Sequence, residues 1–185
     1  AQHPFSRASP ARCSPYRISP AITRTGFPLG SRAGAAPDLG ASMSKPIPPL
    51  DLMWLIMESQ ASPSHVGALL LFEKPKGNPD VVRQIVEAYR SFNPTPPFNY
   101  VVETGGTGLP HFRETTSYDP CYHIQHIALP GGATYDDLLR LVADLHEPML
   151  DRCRPLFRDW IIDNVPGNRF AVYAKVHHAI IDGVS

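Results

Sequence analysis

Helix-period and strand-period segments alternate along this 185-residue sequence, and two strand-like runs meet at a tight turn. Together these features predict an α/β fold with a mixed sheet flanked by helices. The turn is Pro166-Gly167-Asn168, between runs at 157–165 and 169–176, and it reads as a β-hairpin. A hairpin makes at least one strand pair antiparallel, so the sheet cannot be purely parallel.

The elements follow in order. Residues 1–42 hold five arginines against a single acid, Asp38, and are interrupted repeatedly by proline. No period survives such breaks, and the segment is expected to be disordered. It reads either as sequence upstream of a start at Met43, not native to the protein, or as an acid-poor transit peptide. Residues 43–185 are expected to form the second unit, an incomplete N-terminal domain ending just after its most distinctive motif. Within it, 50–57 is a short apolar helix with Asp51 near its start. The run HVGALLLFE at 65–73 is apolar on both parities and is expected to be buried on both faces. Asn78 and Pro79 suit a helix start, after which Val82, Ile85, Val86 and Tyr89 recur at helical spacing. Strands are expected at 98–103 and 122–129. Thr134 with Asp137 resembles a capping box for a helix carrying Leu138, Leu141, Val142 and Leu145.

Composition removes several functional classes. The formal net charge is zero, with 18% charged residues, which argues against a nucleic-acid partner. The apolar run at 68–72, like every other in the sequence, is far shorter than the roughly 20 residues of a membrane span. The chain is expected to be cytoplasmic, at most peripheral to a membrane. Cys13, Cys121 and Cys153 form no C-x-x-C pair and are expected to be free thiols.

Chemistry concentrates at the C-terminal end, in KVHHAIIDGVS at 175–185. By strand alternation His177 shares a face with Ala171, Tyr173 and Lys175. A neutral imidazole near pH 7 can take the proton of an alcohol as it attacks a thioester. Asp182, four residues after His178, could approach it or face an arginine, Arg152 or Arg154, and Gly183 permits a close turn. Read alone, a histidine pair is more often packing than catalysis. A zinc site on His178 and Asp182 lacks an obvious third ligand, with His123, His126 and His146 the available histidines.

Four ordered blocks resemble the bacterial wax ester synthase/acyl-CoA:diacylglycerol acyltransferase family, within the CoA-dependent acyltransferase superfamily. They are PIPPLDLMWLIMESQASPSHVGALLLFE at 46–73, YHIQHIALP at 122–130, PMLDRCRPLF at 148–157, and the histidine motif itself. Cys153 stands where serine is usual, Phe157-Arg158 where tryptophan and glutamate are usual, and Thr116 where an acid is typical. The resemblance implies the N-terminal half of a two-domain fold with His178 as general base. His177 would be supporting, and Asp182 and Gly183 would shape the loop. It implies transfer from acyl-CoA, as substrate rather than cofactor, to a fatty alcohol or diacylglycerol, without a metal. Peripheral contact with the inner membrane or lipid inclusions is implied too, and activity would require the second domain. The alternatives are a condensation-type domain acting on carrier-protein thioesters and a non-catalytic lipid-binding module.

Overall fold

The computed structural model describes residues 44–104 and 108–181. The expectations for 1–42, Asp182 and Gly183 therefore fall outside the described residues. The α/β class is as expected, with two sheets rather than one. A four-stranded sheet has the order β2-β7-β6-β5, from β2 (His65–Glu73), β5 (Ile124–Ala128), β6 (Phe157–Val165) and β7 (Arg169–His177). β5 runs parallel to β6 and the other pairs are antiparallel, so the sheet is mixed. A small sheet of order β1-β4-β3 joins Ser44–Pro46, His111–Glu114 and Tyr100–Glu103. β3 falls within the strand expected at 98–103, whereas β1 and β4 carry too few residues to show a period and escaped the sequence reading.

Helices cover the main sheet on both sides. α2 (Val81–Ser91) lays Val82 and Val86 on Ile124, Phe157, Ile161, Phe170 and Val172. α4 (Tyr135–His146) packs Leu138 against Trp160, Ile162, Ala171 and Tyr173 on the opposite face. Its N-terminus is the expected reciprocal box. Thr134 Oγ1 accepts from the Asp137 N–H, while the Asp137 carboxylate accepts from the Thr134 N–H at 2.9 Å. α2 begins two residues later than Asn78-Pro79 suggests, because the Asn78 carboxamide instead accepts the Asp80 N–H in a turn. Another helical turn, α3 (Pro120–His123), takes the start of the run expected as strand.

Two expectations are corrected. β2 is not buried on both faces: Val66, Leu70, Leu71 and Phe72 are each between 43% and 48% exposed. It is an edge strand, with only β7 beside it, so the helices leave these four side chains uncovered. Cys153 has an exposed free thiol, whereas Cys121 is disulfide-bonded. A bridge depends on Cα separation in space, which spacing along the chain does not report.

One glycine on β2 is fixed by close approach. A Cβ on Gly67 would lie 2.8 Å from Cε2 of Tyr173 and overlap its hydroxyl. Tyr173 cannot retreat, since it is 2% exposed, stacked on Trp160 and hydrogen-bonded to His146 Nδ1 at 2.5 Å. Gly67→Ala is therefore expected to cost about 1–3 kcal/mol through overpacking. An unchanged urea midpoint would reject this account.

Candidate active site

The site is built where β7 runs out. The His177 N–H donates to the Leu156 carbonyl at 2.9 Å, the last bond holding this strand end. The His178 N–H then turns aside to the Ser64 carbonyl at 2.8 Å, and residues His178–Ile180 make one 3-10 turn. This turn packs on α1 (Pro49–Met57) through Ala179, Ile180 and Leu55. The two adjacent histidines thereby acquire different surroundings.

His177 points inward and is fully buried, on the face of Tyr173 and Lys175 as alternation requires. Its Nδ1 accepts the Ala179 N–H at 3.0 Å, so the ring proton resides on Nε2. That nitrogen faces Glu58 Oε1 at 3.3 Å, a charge contact without hydrogen-bond alignment. Burial pulls the imidazole below its usual range, and the Glu58 charge opposes the pull. With one nitrogen capping the turn and the other turned to Glu58, His177 has no free lone pair for a substrate proton.

His178 begins the turn and remains partly accessible. Its ring stacks on Trp54 of α1, with centroids 4.2 Å apart. Nδ1 is sealed from solvent with no hydrogen-bond partner among the described residues. Nε2 is therefore the nitrogen placed to meet a ligand. The indole fixes the ring plane without competing for its proton.

Glu58, just past α1, is the residue that sequence reading missed. Its side chain is completely buried. Arg152 donates to Oε2 from Nε at 3.2 Å and from Nη2 at 2.8 Å, and also reaches the Leu55 carbonyl. The Ser64 N–H donates to Oε1 at 3.1 Å. Burial pushes the carboxyl up, but the Arg152 and Ser64 bonds and the His177 contact outweigh it and hold it below 4.5. Glu58 is the only acid between Asp51 and Glu73, and that isolation beside an apolar helix was the available signal. Arg152, weighed above as an Asp182 partner, sits on Glu58. Arg154 lies near Asp151 and Asp119, at 3.4 and 3.9 Å. Among the described residues no cluster of three or more metal-ligating side chains occurs.

Beneath the turn, Lys175 is 2% exposed and donates to the carbonyls of Leu145, His146 and Pro148. It thus neutralises the C-terminal end of α4. Burial draws its ammonium down to about 8. His65, paired with His177 across β2 and β7, donates from Nε2 to the His146 carbonyl at 2.7 Å. His123, stacked on Phe157, donates from Nδ1 to the Phe157 carbonyl. Burial first, and nearby cations second, pull both histidines down to about 4. Between their usual 6.5 and about 4 the unfolded chain binds more protons than the folded one. Stability is therefore complete above 6.5 and is lost as pH falls through that window. Urea midpoints measured across this range should show the decline, and replacing both residues by glutamine should reduce it.

On the other face of β7 lies an apolar cavity of about 800 Å³. Val176 and Ile181, which bracket the histidine turn, form part of its wall with Phe98 and Phe157. The ensemble is a partly accessible imidazole, held against an indole over a locked polar base, beside a space suited to hydrocarbon.

Comparison with known proteins gives a consistent result. Residues 47–185 match the family described as the wax ester synthase/diacylglycerol acyltransferase catalytic domain. The O-acyltransferase WSD of Acinetobacter baylyi is 38% identical over 144 residues, covering 76% of this chain and 30% of that one. A probable diacylglycerol O-acyltransferase of Mycobacterium tuberculosis is 40% identical over 141 residues, covering 74% of this chain and 31% of that one. The solved wax ester synthase/diacylglycerol acyltransferase from Marinobacter aquaeolei superposes with a TM-score of 0.71 at 36% identity. That match covers 76% of this chain and 36% of the other. The first condensation domain of the calcium-dependent antibiotic synthetase superposes with a TM-score of 0.61 at 20% identity, a likeness of fold alone. The chain spans less than a third of the length of either curated relative.

Proposed function

Because the chain belongs to the wax ester synthase/diacylglycerol acyltransferase family, we propose that the whole protein transfers a fatty acyl group from acyl-CoA to a long-chain alcohol or diacylglycerol. The observation that supports this reading best is the division of labour between the histidines. His177 is spent on structure, while His178 is offered beside an apolar cavity. In this reading Nε2 of His178 takes the acceptor hydroxyl proton as the oxygen attacks the thioester carbonyl. A C–O bond forms, the C–S bond breaks, and the departing thiolate recovers the proton from the imidazolium. Asp182 and Gly183 would shape the loop that follows. The test is thiol release from palmitoyl-CoA by the full-length protein, with and without hexadecanol or dioleoylglycerol. Release that ignores both acceptors would sink the assignment.

The same proposal includes peripheral attachment to a lipid surface. Among the described residues no helix is long and apolar enough to cross a membrane. α1 instead exposes Leu50, Met53, Ile56 and Met57, while Leu52, Trp54 and Leu55 pack inward. Such a stripe suits an interfacial helix. Ile56→Lys with Met57→Lys should abolish flotation with neutral phosphatidylcholine vesicles, and persistence of flotation would reject the α1 contact.

A further inference from the structure

The cavity beside the histidine turn has a mostly apolar wall that carries a carboxylate. Along the inward face of β6 the row reads Phe157, Asp159, Ile161, where an apolar residue would be expected at every step. Among the described residues Asp159 is the only acid lining the cavity, and it lies between Ile124 on β5 and Ala174 on β7. Among the described residues no ion pair or hydrogen bond reaches its carboxylate, and burial alone pushes it up to about 6. A carboxylate left without a partner in an apolar wall is costly, unless something in the cavity supplies one.

Position indicates what that something is. Ala174, the cross-strand partner of Asp159, precedes His178 by four residues, or about 13 Å of strand at about 3.3 Å per residue. A chain whose reacting carbonyl lies at His178 would pass Asp159 part-way along its length rather than at its head. We propose that this cavity takes a single aliphatic chain bearing a mid-chain hydroxyl, and that Asp159 is the specificity residue that reads that hydroxyl. The proposal rests on the acyl-transfer reading, since that reading puts the chain's carbonyl end at His178.

Two signatures distinguish the occupants. A plain alkyl chain strips water from the carboxylate and offers nothing in return, so it binds the protonated form. Its affinity should weaken as pH rises through about 6. A hydroxylated chain donates to the ionised form and should escape that loss. The ionisable groups facing Asp159 are Tyr118 and Tyr89 on the cavity wall, with Arg90 at the end of α2 held on the Ile124 carbonyl. Burial, and then the Asp159 charge, push Tyr118 up to about 12. A phenol or guanidinium ordinarily titrates far above 6, so the window belongs to Asp159.

The experiment compares methyl ricinoleate with methyl oleate, which differ by one mid-chain hydroxyl. Each displaces Nile red from the 185-residue chain at pH values either side of about 6. Above that pH the ricinoleate ester should bind about 10–100-fold more tightly, the range for one hydrogen bond to a charged group. Asp159→Leu should remove the preference and strengthen oleate binding. Asp159→Asn, which keeps size and polarity, should retain part of the preference and lose its pH dependence. Equal affinities, a preference that survives Asp159→Leu, or no displacement by either ester would overturn the proposal. No CoA or acceptor is present, so failure here with intact thiol release rejects Asp159 alone. Intact preference without thiol release rejects the acyl-transfer reading instead.

Discussion

Replacing His178 by alanine is expected to lower acyl transfer by the full-length protein about 10²–10⁴-fold, the usual contribution of a general base. Folding should survive. The ring is partly exposed, its Nδ1 makes no hydrogen bond among the described residues, and the backbone N–H that anchors the turn on Ser64 is kept. The informative comparison is His177→Ala, where the fully buried ring, its cap on Ala179 and its contact with Glu58 all vanish. That variant should lose stability together with activity. Circular dichroism and thiol release measured on both proteins separate the two roles. Retained turnover in folded His178→Ala would remove His178 as the base.

Removing the Glu58 carboxylate is the second large effect. Glu58→Ala leaves the Arg152 guanidinium with only the Leu55 carbonyl and the Ser64 N–H without its acceptor, and deprives His177 of the charge beside Nε2. Breaking a buried ion pair from one side costs about 3–5 kcal/mol. Arg152 is one-third exposed, so water repays part of that and a loss of about 3 kcal/mol is expected. A guanidinium midpoint close to the parent's would show that the cluster is not structural. The pH behaviour has a definite sign. The folded carboxyl titrates below 4.5, so its contribution is complete above 4.5 and is lost as pH falls through the lowered value. Glu58→Gln keeps an acceptor for Ser64 but should erase that acid limb.

The element series was legible because its signals are local. Val82 and Val86 at helical spacing, the Thr134-Asp137 box and the turn at Pro166-Gly167-Asn168 each act within a few residues, and each appears where expected. The exposure of β2 was not legible. HVGALLLFE reads as a central strand, yet sheet order places it at an edge, and order is a property of the whole topology. β4 escaped for a related reason, since its four residues become a strand only when β1 and β3 flank them.

The histidine motif shows the same division. The residues 177–183 and their three companion blocks were sufficient, by resemblance, to name the family and to single out His178. Which imidazole is free was decided by contacts far apart in sequence. Glu58 and Arg152 lie 94 residues apart and meet only because α1 and the segment before β6 converge under the turn. Trp54 reaches His178 by the same convergence, and Asp159 reaches the cavity because β6 lies between β5 and β7. Sequence by itself determined the periodic elements and the chemistry available, because period and residue type are written in neighbouring positions. Tertiary structure alone decided which groups lose water and which charges pair, because desolvation and Coulomb attraction depend on distance in space.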